Sequence, residues 1–188
     1  MVSILKLRRA DRAATFEALV RRHQSSIFRV AYRLCGDRDD AEDLIQEALL
    51  EAYQAFGRFT EGTHFDRWVF RIMRNTYIDR IRSQPKARMD SLDAGWGAAS
   101  QISAQKEIVD LTNSPDLALM ARTLDGPIQE ALQALPEEFR IVVILADIEE
   151  MSYDEISKTL GCPIGTVRSR LHRGRAILKD KLKNYARF

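Results

Sequence analysis

The chain has 188 residues, of which 45% are apolar and 30% charged, and its formal net charge is +2. This balance is typical of a folded globular protein and excludes a disordered chain. No apolar run approaches the roughly 20 residues needed to cross a bilayer, and no signal peptide is evident at the amino terminus. We therefore expect a cytoplasmic protein that does not insert into membranes.

Side chains that could hold a metal or cofactor are few and scattered. Cys35 and Cys162 lie far apart and are expected to be reduced thiols, and the three histidines form no ligand pair with them. The sequence also lacks a Gly-rich phosphate-binding loop of the P-loop type. These patterns predict no metal site, no cofactor and no catalytic residue.

Apolar residues recur at helical spacing, without a strand-like alternation, and this predicts an all-α protein. Three helices are expected over about 11–34, from the Asp37 cap to Phe56, and over 65–82. Residues 84–113 lose this periodicity and contain Pro85, Gly95 and Gly97, which indicates a flexible linker. The pattern predicts two small helical domains, 1–83 and 114–188, the second beginning at a Ser114-Pro115 cap.

The second domain contains a predicted helix-turn-helix. Ser152 and Glu155 have the spacing of a capping box, with Met151 and Ile156 as the hydrophobic staple around it, and Gly161 ends that helix. Another helix, over about 137–147, is expected to precede the helix-turn-helix. The last helix should bury one stripe against the domain: Ile164, Val167, Leu171, Gly174 and Leu178.

From Arg168 onward the chain has eight basic residues and only Asp180 as an acid. An arginine-rich face on the second helix of a helix-turn-helix is typical of recognition in the DNA major groove. A solvated basic helix packed in a bundle is the alternative.

The third and second helices have opposite characters. Arg67, Arg71 and Arg74 share one face of the third helix beside Trp68 and Tyr77, which suits single-stranded DNA, although Trp68 fits the core better than a stacking role. The second helix is flanked by acidic residues that should repel DNA and attract a basic protein surface. A solvated acidic helix is the alternative there.

Three stretches of the sequence resemble the extracytoplasmic-function group of bacterial sigma factors. Residues 40–47 (DAEDLIQE) resemble its polymerase-docking helix. Residues 65–75, continued by Asp79 and Arg82, resemble its promoter-melting helix. Residues 134–137, 152–156 and 165–175 resemble its carboxy-terminal DNA-binding domain. The order of the three stretches, with a linker between them, makes the resemblance specific.

The resemblance implies a sigma factor that binds core RNA polymerase, directs it to promoters and helps to open the DNA, in an extracytoplasmic or stress response. The amino-terminal domain would dock on the clamp helices of the largest subunit through Asp40, Asp43, Leu44, Gln46 and Glu47. It would recognise and melt the minus-ten element through Phe59, His64, Arg67, Trp68, Arg71, Arg74, Asn75, Asp79 and Arg82.

The carboxy-terminal domain would bind the minus-thirty-five element through Thr166, Arg168, Ser169, Arg170, His172, Arg173 and Arg175. Its other surface would contact the flap of the second-largest subunit, and the linker would pass near the RNA exit path. Because members of this family are often held inactive by an anti-sigma protein, an anti-sigma factor is a further candidate partner.

Three other readings compete with this one. A stand-alone helix-turn-helix regulator accounts for the second domain but leaves the acidic helix beside the arginine-aromatic helix unexplained. A nucleic-acid enzyme would need a metal cluster or a nucleophile with its base, and the acids from Asp39 to Asp43 lack a calcium-loop pattern. For a helical adaptor, the arginine-rich face would have no role. The chain is therefore expected not to be an enzyme.

Overall fold

The computed structural model describes residues 9–60, 62–83, 126–183 and 185, and these residues form helices without any strand. The all-α class is therefore confirmed. The helices are α1 (Arg9–Cys35), α2 (Arg38–Ala55), α3 (Phe65–Ser83), α4 (Gly126–Gln133), α5 (Glu137–Val143), α6 (Tyr153–Leu160) and α7 (Ile164–Lys181). The predicted linker and the Ser114-Pro115 cap lie outside the described residues.

Helices α1, α2 and α3 form the amino-terminal domain around a common apolar core. Gly36 ends α1 with a φ of +83°, a left-handed conformation that glycine adopts without strain. Asp37 then caps α2, accepting hydrogen bonds from the backbone N–H groups of Asp39 and Asp40 at 2.8 and 3.1 Å. The predicted Asp37 cap of the second helix is confirmed.

An aromatic cluster fixes the segment that leads into α3. The Phe16 ring lies 5.1 Å from that of Phe56, and Phe59 lies 5.5 Å from Phe65 and 5.2 Å from Trp68. Edge-to-face and tilted rings at these centroid distances attract each other beyond their burial of apolar area. The cluster therefore holds the start of α3 against α1 and the end of α2.

Helices α4 to α7 form the carboxy-terminal domain, which contains the helix-turn-helix. The capping box is present: Glu155 N–H donates to Ser152 Oγ, and Ser152 N–H donates to the Glu155 carboxylate at 2.8 Å. Gly161 ends α6 with a φ of +63°, and Met151 and Ile156 are buried as the staple requires. These local predictions are confirmed.

Two predictions for this domain need correction. The helix expected over 137–147 is α-helical only to Val143 and continues as a π-helical turn, Ile144–Ile148. Ile164 is 39% exposed, so it does not belong to the buried stripe of α7. It is the first residue of α7 and lies beyond the cover of the preceding helices, whereas Val167 and Leu171 are buried.

The two domains pack against each other, α1 on α4 and on the π-helical turn, and α3 on α6. Arg140 of α5 lies in this contact and is 6% exposed. Its guanidinium donates to Leu34 O at 2.8 Å and to the Tyr77 hydroxyl at 2.6 Å, both in the amino-terminal domain. It also donates to Gln133 O and Leu135 O within its own domain, at 2.6 and 2.9 Å.

Close packing of α7 on α5 depends on Gly174, and this predicts a contrast with Gly165 in the same helix. A Cβ at Gly174 would lie 2.7 Å from a methyl of Val143, whereas a Cβ at Gly165 meets nothing within 4 Å. Gly174→Ala should lower the free energy of unfolding by about 1–3 kcal/mol because of overpacking. Gly165→Ala should be neutral or stabilise by up to about 1 kcal/mol. Urea denaturation of both variants measures the contrast, and equal midpoints would contradict it.

Candidate nucleic-acid and polymerase interfaces

The outward face of α7 carries the cations and polar groups of a recognition helix. Arg168, Ser169, His172 and Arg173 are exposed, while Val167 and Leu171 on the opposite side are buried. Thr166 is half-buried at the start of the helix, and its carbonyl accepts a hydrogen bond from Ser169 Oγ at 3.0 Å. The burial of one side leaves the other free to enter a groove of DNA.

Two further arginines of α7 are held at the flanks of this face by carboxylates of the same domain. Arg170 pairs with Glu138 at 2.8 Å, and Arg175 pairs with Asp147 at 2.5 Å. The hydrogen bond to Asp147 raises the pKa of Arg175. Arg175 also lines a shallow groove with Tyr153, Arg168 and His172. Arg170 and Arg175 are thus tied to carboxylates of their own domain, whereas Arg168 and Arg173 are exposed.

Helix α3 presents a row of exposed polar residues along one side. The exposed members of the predicted minus-ten set are His64, Arg71, Asn75, Asp79 and Arg82. Trp68 is half-buried against the aromatic cluster, and Phe59 is 8% exposed beneath it. The structure thus brings the polar members together on one surface and places Phe59 among the groups that support it.

The remaining two cations of this set lie against the carboxy-terminal domain. Arg67 pairs with Glu155 of α6 at 2.8 Å. Arg74 is half-buried, and this burial, more than the nearby Arg170, lowers its pKa. Hydrogen bonds from the backbone and side chain of Ser152, with the Arg67 guanidinium as a weaker cause, lower the pKa of Glu155. Glu155 thus caps its own helix and binds a cation of the other domain.

The predicted docking residues lie on α2, where acidic side chains are concentrated. Asp43, Gln46 and Glu47 are exposed, Asp40 is half-buried, and Leu44 is completely buried in the core. Burial, followed by repulsion from Asp37, raises the pKa of Asp40. Since Leu44 has no surface to offer in this structure, it supports the helix from inside.

One ion pair crosses from the acidic helix to α3. Glu47 accepts a hydrogen bond from Arg80 at 2.8 Å, and its side chain remains 55% exposed. The pair links α2 to α3, the helix that carries Arg71 and Asn75. Much of the Glu47 carboxylate stays available to a second cation.

Sequence reasoning missed the residues that join the two domains. Arg29 of α1 makes a bidentate pair with Glu149, at 2.5 and 2.9 Å, and Gln133 donates to the carbonyl of Leu34 at 3.2 Å. Arg29 and Glu149 are 120 positions apart, and neither belongs to a motif. The absence of a local pattern explains why the sequence did not reveal them.

Metal-ligating side chains do not gather in the part of the chain that the structure describes: no three of His, Cys, Asp and Glu could hold one ion there. Both cysteines are free, and burial raises the pKa of the Cys35 thiol to about 12. Among the described helices, none is long and apolar enough to cross a membrane.

Two family models match the chain. The model of sigma-70 region 2 matches residues 19–86, and the model of sigma-70 region 4 matches residues 125–178. The first match contains α2, α3 and most of α1, and the second contains the helix-turn-helix. Each match therefore covers one of the two domains.

Curated relatives extend the similarity over nearly the whole chain. The extracytoplasmic-function RNA polymerase sigma factor SigE of Mycolicibacterium smegmatis is 38% identical over 94% of this chain, which spans 65% of that longer relative. The extracytoplasmic-function RNA polymerase sigma factor SigW of Bacillus subtilis is 34% identical to this chain, and the match covers 96% of this chain and 95% of SigW.

A solved structure agrees with these relatives. The sigma factor RpoE of Bartonella quintana, in complex with the anti-sigma factor NepR, superposes with a TM-score of 0.65 and 27% identity, covering 90% of this chain and 97% of RpoE. With both domains matched by sigma-70 models and SigW matched almost end to end, the chain belongs to the extracytoplasmic-function group of RNA polymerase sigma factors, the subunits that direct the polymerase to promoters.

Proposed function

We propose that this sigma factor divides its three tasks among three helices: α2 docks on core polymerase, α3 captures the minus-ten element, and α7 reads the minus-thirty-five element. The observation that carries the proposal is the chemistry of three separate exposed faces. The face of α2 is acidic, that of α3 combines arginines with an amide and Asp79, and that of α7 is rich in arginine. The dominant charge of a face favours one class of partner.

The acidic face of α2 suits a basic protein surface and repels DNA. Asp43 and Glu47 are exposed one turn apart, and the raised pKa of Asp40 reflects burial beside like charges. A basic partner, here the clamp helices of the largest subunit, would relieve this repulsion and stabilise the ionised carboxylates. In this proposal Asp40 and Gln46 complete the contact, and the buried Leu44 positions the helix from the core.

The polar row of α3 suits single-stranded promoter DNA. Arg71 and Arg82 can contact phosphates, and Asn75 offers an amide that can form hydrogen bonds with an unstacked base. Capture of unpaired bases offsets the few kcal/mol that unstacking costs, so melting needs no ATP. The buried Phe59 and the half-buried Trp68 hold the loop with His64 beside this row.

The arginines of α7 suit base edges in a duplex. Arginine can bind O6 and N7 of guanine in a bidentate manner, and Arg168 and Arg173 are both exposed. Arg170, Arg175, Ser169, Thr166 and His172 would hold the helix in register through phosphates.

Finer features of the family are proposed for this chain as well. The domains would cover residues 1–83 and 114–188, with 84–113 as a linker near the RNA exit path, and the second domain would also rest on the flap of the second-largest subunit. Because the RpoE match is a complex with an anti-sigma factor, such a protein is a proposed partner here too. The chain would act in the bacterial cytoplasm in a stress response.

The docking assignment predicts a loss of polymerase binding in Asp43→Ala combined with Glu47→Ala. A hydrogen bond to a charged group contributes about 1.5–3 kcal/mol, so we expect the affinity for core polymerase to fall about tenfold or more. Glu130→Ala combined with Asp180→Ala removes the same charge from the other domain and should bind normally. Fluorescence anisotropy with purified core polymerase measures both, and equal affinities would refute the assignment.

The recognition assignment predicts the reverse pattern for α7. Arg168→Ala and Arg173→Ala should each weaken promoter binding by the holoenzyme by about 1–3 kcal/mol while leaving its assembly from core unchanged. A Lys179→Ala control removes the same charge from a later turn of α7 and should lose less. Electrophoretic mobility shifts on minus-thirty-five duplexes give the comparison. Lost assembly in the Arg168 or Arg173 variant would contradict the division of roles.

A further inference from the structure

We propose that Asp147 of the π-helical turn is a positioning residue for promoter recognition, which orders the guanidinium of Arg175 on α7 before DNA binds. This inference rests on the proposed function, because it concerns how α7 binds the minus-thirty-five element. Asp147 carries the same sign of charge as DNA, so electrostatic attraction alone gives it no role in binding a promoter. Its role follows from the geometry of its pair with Arg175.

The pair between Asp147 and Arg175 is bidentate. Arg175 Nη2 donates to Asp147 Oδ1 at 2.5 Å, and Arg175 Nε donates to Asp147 Oδ2 at 3.2 Å. Two parallel hydrogen bonds fix the plane of a guanidinium as well as its position. An arginine held by a single bond could still rotate about it, so the second bond defines the orientation of Arg175.

The pair leaves part of the Arg175 guanidinium available to DNA. An arginine has five N–H donors, and Asp147 engages the Nε hydrogen and one hydrogen of Nη2. The two hydrogens on Nη1 lie outside the edge that Asp147 holds. Because the Arg175 side chain is 51% exposed, the ordered group keeps both donors and surface for a phosphate oxygen.

Arg175 lies in a shallow groove that suits a negatively charged strand. Arg168, Arg175 and Lys179 line it at spacings of seven and four along α7, and Tyr153 lines it from the start of α6. Among the described residues that line this groove, none is an acid. Asp147 is not one of them, so it holds Arg175 from outside the groove that would receive the phosphate.

Asp147 lies within the irregular part of the helix that precedes the helix-turn-helix. Helix α5 ends at Val143, and Glu149 N–H then donates to Ile144 O, five residues earlier, at 3.0 Å. A π-helical turn winds more widely than an α-helix, changes the direction of the side chains in it and is frequent at functional sites. In this chain the turn carries an acid whose partner is 28 positions later, on the recognition helix.

The other carboxylate that pairs with an arginine of α7 has a different geometry. Glu138 accepts one hydrogen bond from Arg170, at 2.8 Å, and a single bond leaves the guanidinium free to rotate. Arg170 is close to the amino-terminal domain, where burial and then the charge of Arg170 lower the pKa of Arg74. It is also not among the described residues that line the groove. The positioning role therefore belongs to Asp147.

Asp147 has two opposite effects on DNA binding. Its charge repels phosphates of any sequence, and salt screens this repulsion. Its pair with Arg175 spares the binding step the entropy of immobilising one long side chain, which corresponds to about two- to tenfold in affinity. The second effect requires a phosphate at a fixed position, as in the specific complex. Asp147 should therefore raise the ratio of specific to non-specific affinity.

The test compares Asp147→Ala with Asp180→Ala, which removes the same charge from the last turn of α7, where Asp180 pairs with Lys183. Holoenzyme is assembled from core polymerase and each full-length variant. Fluorescence anisotropy measures its affinity for a promoter fragment that the wild-type holoenzyme transcribes, and for that fragment with a scrambled minus-thirty-five element. We expect Asp147→Ala to lower the ratio of the two affinities about two- to tenfold, and Asp180→Ala to leave it unchanged.

A double-mutant cycle with Arg175→Ala distinguishes positioning from an effect on folding. If Asp147 acts through Arg175, its removal from the Arg175→Ala chain should not lower the ratio further. Relief of repulsion should then strengthen binding to both fragments alike. Asp147→Asn keeps the shape of the side chain and removes its charge, so it gives the same comparison if circular dichroism shows that Asp147→Ala unfolds.

Three results would overturn the inference. They are an unchanged ratio in Asp147→Ala, a higher ratio, as expected of an acid that competes with DNA for Arg175, and an equal loss with and without Arg175. In each case the wild-type holoenzyme would still distinguish the two fragments, so the proposed reading by α7 would stand. A wild-type holoenzyme that binds both fragments equally would refute that proposed reading, and the role of Asp147 with it.

Discussion

The guanidinium of Arg140 is the contact around which the two domains are organised. It joins the turn between α4 and α5, through Gln133 O and Leu135 O, to the end of α1 and to Tyr77 of α3. A single planar group with donors fixed in a fork can bind several oxygens at once, which an ammonium group cannot do in the same geometry. The same side chain shapes its own domain and sets the other domain against it.

That arrangement forms two ion pairs between the domains, Arg29 with Glu149 and Arg67 with Glu155. Glu155 at the start of α6 pairs with Arg67 of α3, whereas Asp43 and Glu47 of α2 and Arg168 and Arg173 of α7 are exposed. The proposed minus-ten surface is thus partly covered, whereas the proposed docking surface on α2 is exposed. The small net charge of +2 does not reveal this division, because the acidic and basic residues nearly cancel in the sum although they lie on different faces.

Local features of the fold could be predicted from the sequence, and long-range ones could not. The capping box of Ser152 and Glu155 and the stop at Gly161 depend on residues a few positions apart, so they were predicted correctly. Ile164 was misassigned because helical spacing does not reveal which neighbours reach the first turn. The Arg29–Glu149 pair joins positions 120 apart and has no periodic signature. For the site, residue chemistry indicated the three faces, but only packing reveals that Leu44 is buried and that Arg67 is paired.

The most direct measurement of the central claim is transcription from a library of genomic DNA fragments by core polymerase, with and without the purified chain, followed by mapping of RNA 5′ ends. The account predicts a discrete set of new start sites that share sequence elements at the minus-ten and minus-thirty-five positions, and that vanish when Asp43 and Glu47 are both replaced by alanine. Duplex DNA binding by the chain alone, with no new start site on adding it to core, would contradict the account.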